Sequence, residues 1–436
     1  MKKSIQIVFF FLFFLTLQAQ KSVQWTSKKD KIKIPFELTH NLIIVDVTFN
    51  KIPLKMIADT GAEQSLLFSF PENDSLILNH TDKIDIKGVG SAESLTAYLS
   101  KNNLLSIKGY TDTNFEMLLI PNQDISIVNK LGVPVNGILG SSFFKSFLIE
   151  INYDRKQLIL YKKKEEILQL HAKKSSKIVA DFDKNKPYVN ININNNNLKL
   201  LFDTGLSDGL WLFEDEKIKC NSNFFNDVLG RGLAGDILGK RSRVESINIA
   251  NYRLHNALVA YPDSTSFNQI EILKDRNGSL GGEVIKRFNW VLDYENKNFY
   301  YKKNSYFYEP FEYNMSGIEV QHSGSQWIKE EIRVNSSNNK IDATEYVFDD
   351  SNLRNKYHYK LKPIFEIYAV RENSPAANAG LQVGDKILRI NNKTSSQLSI
   401  QDITNLFQSE EGKWITITIE RGLEKITVKF QLEKIL

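Results

Sequence analysis

Two copies of one short pattern, an apolar run that ends in Asp-Thr-Gly, each place a carboxylate on a tight turn. The copies end at residues 59–61 and 203–205. If Asp59 and Asp203 faced each other they could share one proton, because two neighbouring carboxylates do not readily ionise together. One could then act as a base toward a water molecule while the other acts as an acid toward a carbonyl oxygen. The pattern therefore indicates acid–base chemistry on a water and a carbonyl.

Alternating apolar segments precede both aspartates and predict the hairpins that position them. Residues 43–49 and 188–193 have the period-two pattern of strands, and each is followed by an Asn-containing turn and a second apolar strand. Behind the aspartates a Gly-x-Leu-Gly sequence recurs at 137–140 and 278–281, each time before a short helical segment, a Phe and a strand that ends near a Tyr. The spacing between the two aspartates, 59 and 203, nearly equals the spacing between the two Leu-Gly pairs, 139–140 and 280–281. The repeated order of motifs indicates an internal duplication.

Glycine-containing segments further along each copy lie where a lid over a cleft would fall. Gly88 and Gly90 belong to the first copy, and Gly232 and Gly235 belong to the second. Glycine favours tight and mobile turns, so these residues could form the tips of flap hairpins. A plain surface loop is an equal alternative in each case.

The character of the chain changes after about residue 310. Residues 334–362 are polar and rich in asparagine, and they predict a loop or an insertion. Ser374, Pro375 and Gly380 suit the N-cap, the first turn and the end of a short helix. The surrounding pattern predicts a strand, a helix and two closing strands at residues 364–370, 399–408, 414–419 and 426–432.

Residues 30–303 resemble the clan of aspartic proteases that includes retropepsins and pepsins. The resemblance is based on the two Asp-Thr-Gly units and the two Leu-Gly elements. These residues look similar to bacterial exported members that carry two lobes in one chain. The resemblance implies a mainly β, bilobal acid-protease β-barrel fold with pseudo-twofold duplicated lobes. We call residues 30–165 lobe 1 and residues 178–303 lobe 2.

The same resemblance implies roles for the residues of the two motifs. Asp59 and Asp203 would be catalytic, and Thr60 and Thr204 would lock the two loops by reciprocal hydrogen bonds. The residues expected to support the catalytic loops are Thr60, Gly61, Ala62, Thr204 and Gly205, with the glycines letting backbone N–H groups approach the carboxylates. Ala62 follows the first motif as in retropepsins, whereas Leu206 stands where pepsins often have a hydrogen-bonding Ser or Thr. The second site therefore departs from the family pattern.

Residues 310–436 resemble a PDZ domain. The resemblance is based on the sequence Ser-Pro-Ala-x-x-Ala-Gly-Leu-x-x-Gly-Asp-x-Ile-Leu-x-Ile-Asn at residues 374–391. Such a small α+β domain binds a peptide or protein terminus as an added strand beside a helix. The resemblance places the carboxylate-binding loop at Ser316, Gly317 and Ile318, and it places Ile403 on the helical wall of the groove. The alternative is a PDZ fold that serves only as a spacer.

The leading hypothesis is an aspartic endopeptidase that hydrolyses peptide bonds with a water activated between the two aspartates, while the PDZ domain recruits polypeptide. A catalytically weak or inactive peptide-binding protein of the same fold is the alternative, suggested by Leu206. A third possibility is an activity confined to one processing event. With both motifs in one chain, a monomer is expected. No cofactor is expected, and the dispersed histidines lack metal-ligand spacing, so no metal is expected either.

Composition and the N-terminal pattern narrow the partners and the compartment. The net charge of +5 is carried mostly by scattered lysines without a dense basic block, so nucleic acid is not expected as a partner. Residues 1–20 read as a signal peptide, with two lysines before an apolar core and a small residue at the cleavage point. After its removal no membrane span is expected, and we predict export to the periplasm or outside the cell. An uncleaved anchor is the alternative.

Overall fold

The computed structural model describes residues 23–69, 77–90, 95–121, 132–232, 235–267, 272–332, 346–348 and 356–436. The signal peptide predicted at residues 1–20 lies outside these ranges. The elements up to residue 161 are β1 (Val23–Trp25), β2 (Lys31–Pro35), β3 (Glu37–Thr39), β4 (Leu42–Phe49), β5 (Ile52–Ala58), β6 (Leu66–Leu67), β7 (Thr81–Ile86), β8 (Leu95–Ile107), β9 (Tyr110–Leu119), β10 (Gly137–Leu139), α1 (Ser141–Lys145), β11 (Leu148–Asn152) and β12 (Gln157–Tyr161).

The hairpin β4–β5 carries the first Asp-Thr-Gly turn, as predicted. Its two turn residues, Asn50 and Lys51, have φ values of 47° and 73°, the left-handed conformation that a two-residue hairpin turn of this kind requires. β5 pairs in parallel with β10, so that Ala58 lies opposite Leu139. The strand that ends at the first aspartate is therefore braced by the first Gly-x-Leu-Gly segment.

The second copy repeats this arrangement. Its elements are α2 (Glu165–Lys174), β13 (Ser176–Asp183), β14 (Lys186–Ile193), β15 (Asn196–Phe202), β16 (Leu210–Leu212), β17 (Phe225–Gly232), β18 (Gly235–Ile249), β19 (Tyr252–Pro262), β20 (Gly278–Leu280), α3 (Gly282–Ile285), β21 (Phe288–Asp293) and β22 (Asn298–Lys303). The strand order β6-β10-β5-β4-β8 of the first copy recurs as β16-β20-β15-β14-β18. The turn residues Asn194 and Asn195 have φ values of 45° and 66°. The internal duplication predicted from the sequence is therefore present in the strand order.

The two copies share one sheet. β11 pairs antiparallel with β21, with Ile149 opposite Leu292 and Ile151 opposite Trp290. Outward from this pair the order is β12 and β2 on one side and β22 and β13 on the other. Equivalent strands thus lie at equal positions on either side of the β11–β21 pair, and this shared sheet joins lobe 1 to lobe 2.

The remaining chain forms a smaller domain around a third sheet. Its elements are β23 (Ile318–Ile332), β24 (Tyr346–Phe348), β25 (Lys356–Val370), α4 (Pro375–Asn378), β26 (Lys386–Ile390), β27 (Lys393–Thr394), α5 (Ile400–Phe407), β28 (Trp414–Arg421) and β29 (Glu424–Gln431). Ser374 caps α4 by accepting a hydrogen bond from the backbone N–H of Ala377 at 3.2 Å, and Gly380, with φ 87°, follows its end. These predicted caps are confirmed.

The loop predicted over residues 334–362 is wrong in part. β25 begins at Lys356 and pairs antiparallel with β23, and the short β24 pairs with β25. The sequence there alternates between Tyr or Leu and Lys or His, which is a strand pattern that the polar composition concealed.

The described helices are short, and the longest, α2, has 10 residues. None of the helices in the described ranges is long and apolar enough to cross a membrane. Strands make up most of the regular structure. The predicted mainly β fold class, with a small α+β domain at the C-terminus, is confirmed.

Buried Arg287 fixes the connector between lobe 2 and the C-terminal domain. Its side chain lies wholly inside the protein. The guanidinium donates to the main-chain oxygens of Tyr306 at 3.3 Å, of Pro310 at 3.3 Å and of Glu309, and it stacks on the ring of Phe311 at 3.7 Å. Because a guanidinium presents five donors in a rigid fork, one side chain holds several consecutive connector residues in place.

Candidate active site

Asp59 and Asp203 lie side by side at the floor of an open cleft, and both side chains are half-buried. Their carboxyl groups are close enough to hydrogen-bond to each other. A Cβ atom placed on Gly61 would lie 2.6 Å from Cγ of Asp203, and one placed on Gly205 would lie 2.2 Å from Cγ of Asp59. Each carboxyl group therefore occupies the space that a side chain on the opposite loop would need. The two motifs are brought together, as the sequence predicted.

Backbone N–H groups hold each carboxyl group in place. Gly61 and Ala62 donate to Oδ1 of Asp59 at 2.7 and 3.1 Å. Gly205 donates to Oδ1 of Asp203 at 3.0 Å. These bonds orient the carboxyl groups and favour their charged forms.

The two threonines link the loops reciprocally. The backbone N–H of Thr60 donates to Oγ1 of Thr204 at 3.0 Å, and the backbone N–H of Thr204 donates to Oγ1 of Thr60 at 3.1 Å. Each hydroxyl then donates across the interface, Thr60 to the carbonyl of Phe202 at 2.5 Å and Thr204 to that of Ala58 at 2.7 Å. Both threonines are buried. Since buried polar groups are costly to leave unpaired, this interlock fixes the relative position of the aspartates.

The Leu-Gly segments brace the loops from behind. The backbone N–H of Asp59 donates to the carbonyl of Leu139, and that of Asp203 donates to the carbonyl of Leu280, both at 2.9 Å. These equivalent bonds continue the parallel pairings of β5 with β10 and of β15 with β20. The end of each strand, and hence each aspartate, is set by the sheet itself.

The electrostatic surroundings of the two carboxyl groups differ. Burial, and after it the negative charge of Asp203, raise the pKa of Asp59 to about 8. Burial also raises the pKa of Asp203, but the nearby cation of Arg276 opposes that shift. Two adjacent carboxyl groups in such a site hold one proton between them. The asymmetry favours Asp59 as the protonated member and Asp203 as the ionised one.

Arg276 was not singled out by the sequence, although it lines the same cleft as the aspartates. Its Nε donates to the carbonyl of Gly278 at 2.9 Å and its Nη2 donates to Oγ of Ser279 at 2.6 Å. Its guanidinium also lies 5.2 Å from the centre of the Phe213 ring. A comparison of the two sequence copies could have found it, because the equivalent position in lobe 1 is the apolar Val135.

Leu206 contributes an apolar wall to the cleft. Its side chain packs against the cluster that contains Trp211, Leu229 and Phe267. Its carbonyl accepts a hydrogen bond from Gly282 at 2.6 Å, just as the carbonyl of Ala62 accepts one from Ser141 at 2.8 Å. The residue therefore keeps the backbone role of its counterpart while its side chain shapes the pocket.

The flap candidates of the two lobes meet each other. Gly88 and Gly90 follow β7, and Gly232 and Gly235 lie at the tip of the β17–β18 hairpin. A Cβ atom on Gly232 would lie 1.9 Å from the carbonyl oxygen of Val89, and the N–H of Gly90 donates to Ser266 of lobe 2 at 3.0 Å. Gly90 and Gly235 have φ values of 137° and 126°, which favour glycine. Both segments make contacts between the lobes.

The predicted PDZ groove lies between β23 and α5. Ile318 at the start of β23 and Ile403 on α5 are both buried. Gly317 has φ 84°, and a Cβ atom there would lie 2.1 Å from Cβ of Ser374, the N-cap of α4. The loop of Ser316 and Gly317 therefore requires glycine at its centre and enters β23 at the end of the groove.

A single cleft of about 1100 Å³ contains both sites. Its walls include Asp59 and Asp203, residues 228–232 of the β17 hairpin, and the groove residues Ile318 and Ile403. This continuity was not predicted, because it depends on how the C-terminal domain sits against both lobes.

Two parts of the chain match known domain families. Residues 45–143 match the family model described as aspartyl protease, and residues 366–421 match the PDZ domain model. No curated protein matches the chain. The first match contains Asp59 and ends before lobe 2, so the equivalence of Asp203 rests on the repeated strand order and the shared geometry.

Proposed function

Since the chain contains an aspartyl protease domain and a C-terminal PDZ domain, we propose that it is an endopeptidase whose catalytic pair is Asp59 and Asp203. The proposal rests on the close approach of the two carboxyl groups. Each carboxyl group occupies the space that a side chain would fill if the glycine of the opposite loop had one. Two carboxyl groups that share one proton can supply both a base and an acid at neutral or acidic pH.

The reaction needs no covalent intermediate on the protein. Asp203, ionised beside Arg276, takes a proton from a water as the water oxygen bonds to the scissile carbonyl carbon. Asp59 gives its proton to the carbonyl oxygen, which forms a tetrahedral diol. Asp203 then passes its proton to the amide nitrogen, the carbon–nitrogen bond breaks, and a hydroxyl proton of the diol returns to Asp59. Both carboxyl groups finish in their starting states.

The PDZ domain supplies polypeptide binding next to this chemistry. Its groove opens into the catalytic cleft, and PDZ grooves bind extended peptide beside a strand edge. A polypeptide substrate, no cofactor and a monomeric chain complete the proposal. We further propose that the protein acts after export, on the basis of the N-terminal sequence pattern. Cell fractionation that recovers it in the cytoplasm with residues 1–20 intact would contradict export alone.

The test of the catalytic proposal is hydrolysis of a denatured protein over a pH series, with and without pepstatin. Asp59→Asn and Asp203→Asn should each lower kcat by about 10³-fold or more, since each removes one partner of the acid–base pair. Asp46→Asn is the matched control, because Asp46 is an exposed carboxylate of lobe 1 whose side chain is 81% accessible. Thermal melting should show that all three variants fold.

The alternative, a peptide-binding protein of the same fold without catalysis, makes the opposite prediction. It expects binding of extended peptide with no cleavage at any pH and no effect of either aspartate substitution. That result, in protein shown to be folded, would refute the endopeptidase proposal.

A further inference from the structure

The three backbone N–H groups predicted to receive a terminal carboxylate are already hydrogen-bonded within the loop. Ser316 and Gly317 donate to Oδ1 of Asn314 at 3.0 and 3.3 Å. The N–H of Ile318 points to the hydroxyl of Ser316 at 3.3 Å, and that hydroxyl itself donates to Oδ1 of Asn314 at 2.6 Å. The side-chain oxygen of Asn314 thus occupies the position that a peptide's carboxylate oxygen would take.

The other end of the same side chain covers the beginning of β23. Nδ2 of Asn314 donates to the carbonyl of Ile318 at 2.7 Å and to Oε1 of Glu319 at 3.2 Å. A carboxylate entering here would have to displace Asn314 and then lie beside the negative charge of Glu319, which costs electrostatic energy. The groove is closed at the end where a peptide terminus would be anchored.

The nearby cation does not supply an alternative anchor in the groove. Arg371 stacks on Phe225 of lobe 2, with its guanidinium carbon 4.1 Å from the ring centre. Its Nη1 faces the main-chain oxygen of Asn314 at 3.4 Å. Among the described residues, those that line the cleft do not include Arg371. Its Nε and Nη2 are buried and make no hydrogen bond within the described residues, while the guanidinium lies against Phe225 and outside the lining of the cleft.

The other end of the groove lies against lobe 1 and lines the same cleft as the two aspartates. The first turn of α5 contacts lobe 1, where Oε1 of Gln401 accepts the backbone N–H of His40 at 3.1 Å and Ile400 packs against Gly132. His40 and Gln401 both line the cleft that contains Asp59 and Asp203. A chain that runs along β23 and α5 therefore lies within the cleft that also contains the aspartates.

The edge that such a chain would pair with is available. In the part of the chain that the structure describes, β23 pairs with β25 alone and forms the end of its sheet. The domain is also held against lobe 2, since Arg243 donates to the carbonyl of Phe311 at 3.0 Å and Phe225 packs on Tyr313. Groove and cleft are therefore kept in a fixed relation.

We propose that the PDZ groove binds an internal, extended segment of a polypeptide and not its free carboxyl terminus, and that this segment continues into the catalytic cleft. The first half of the proposal concerns binding alone. The second half rests on the proposed endopeptidase function.

Binding is tested with the full-length Asp59→Asn protein, so that no probe is cleaved. A peptide is first chosen from a library because it binds the protein and because an unlabelled copy of the same peptide displaces it. This peptide is then made as two fluorescent probes of identical sequence, one with a free C-terminus and one with an amidated C-terminus. We expect affinities for the two forms to agree within about threefold, whereas a carboxylate held by three N–H groups would favour the free form at least about tenfold. A preference of that size, or a library without any binder, would overturn the proposal.

Two variants at position 314 sharpen this test. Asn314→Ala frees the loop N–H groups and should create a preference of at least about tenfold for the free carboxylate. Asn314→Asp keeps an acceptor for the loop N–H groups but places a second carboxylate beside Glu319, so it should leave the two peptide forms equivalent or favour the amidated one, and it should not favour the free carboxylate. If the loop refolds and neither variant differs from the parent, Asn314 does not close the groove and the proposal fails. Thermal melting of both variants shows whether each is folded.

The continuation into the cleft is tested with the active protein and a cleaved peptide from the series above. Adding residues to the C-terminus of this peptide should leave the cleaved bond unchanged, because the terminus does not determine which peptide bond lies at the aspartates. Cleavage that moves with the terminus, at a constant distance from it, would refute this half. If the active protein cleaves no substrate, the endopeptidase proposal fails, while the binding result on the Asp59→Asn protein still decides the first half.

Discussion

The loop that carries Asp59 and the loop that carries Asp203 have the same backbone arrangement in different chemical surroundings. Each aspartate accepts a hydrogen bond from the glycine two residues on, and each is braced by a leucine carbonyl at 2.9 Å. Yet the position after Asp-Thr-Gly is Ala62 in one loop and Leu206 in the other. The comparison shows that the duplicated backbone sets the geometry while the side chains around it set the charge.

A larger difference lies two residues before the Gly-x-Leu-Gly segment that braces each loop. Asn136 and Asn277 are equivalent, because they accept the backbone N–H groups of Lys55 at 2.8 Å and of Lys199 at 2.9 Å. The residue before Asn136 is the buried, apolar Val135, whereas the residue before Asn277 is Arg276. Only the second loop thus has a cation at this position, which favours ionisation of its aspartate.

The glycine substitutions should break the shared geometry and have the largest effect. Gly205→Ala would place a methyl group 2.2 Å from Cγ of Asp59, and Gly61→Ala would place one 2.6 Å from Cγ of Asp203. Displacing either carboxyl group by about 1 Å should lower kcat by about 10²-fold. Steady-state kinetics on a short peptide checks this, with circular dichroism to verify folding. Full activity in either variant would show that the two carboxyl groups do not require this close approach.

The threonine substitutions test whether the two loops are energetically equivalent. Thr60→Val leaves the backbone N–H of Thr204 without its hydrogen-bond acceptor, and Thr204→Val leaves the backbone N–H of Thr60 without its acceptor. Each should lower the free energy of unfolding by about 1–3 kcal/mol, the cost of an unpaired buried polar group. Denaturant unfolding measures the loss, and Thr60→Ser and Thr204→Ser, which keep the hydroxyl, should recover most of it. A large loss from one loop and none from the other would contradict the reciprocal interlock.

Replacing Arg276 removes a cation together with its hydrogen bonds to Gly278 and Ser279, and it should have the smallest effect on activity of these three changes. Arg276→Met removes the cation that opposes the raised pKa of Asp203, so that this pKa should rise. Because the proposed reaction needs Asp203 ionised, the acidic limb of the pH profile of kcat/KM should move to higher pH by about one unit. The alkaline limb, which reports loss of the proton of Asp59 with its pKa of about 8, should move less.

Two controls separate charge from packing in this pH experiment. Arg276→Lys keeps a cation at the position and should shift the acidic limb less than Arg276→Met. Val135→Ala alters the equivalent residue of lobe 1 without changing charge, and it should leave the limb in place. An unmoved acidic limb in Arg276→Met would mean that the two aspartates are electrostatically equivalent.

The features that the sequence predicted correctly depend on short segments. The turn at Asn50 and Asn194, the cap at Ser374 and the Asp-Thr-Gly loops each follow from a few adjacent residues whose conformational preferences suffice. Pairing of Asp59 with Asp203 followed from the repeat, because a duplicated chain tends to bury the same face of each copy. These elements required no knowledge of how distant parts of the chain pack.

The features that escaped prediction depend on packing between distant segments or on one substitution within the repeat. The continuity of the PDZ groove with the cleft that contains Asp59 and Asp203 depends on contacts such as that of His40 with Gln401, 361 positions apart. Arg276 carried a signal only when compared with Val135. The length of β25 was missed because composition outweighed the alternation around Tyr359 and Leu361.

Arg287 has a consequence for how this architecture can be inherited. The side chain belongs to lobe 2, yet several of its partners are main-chain oxygens of the connector, and its stacking partner is Phe311 at the entry to the PDZ domain. A recombination event that joined a different domain after residue 303 would remove these oxygens and this ring, and each lost hydrogen bond to the charged guanidinium contributes about 1.5–3 kcal/mol. The two lobes and the PDZ domain are therefore tied together through the main chain of the connector, although the side chains of Tyr308, Glu309 and Pro310 remain exposed.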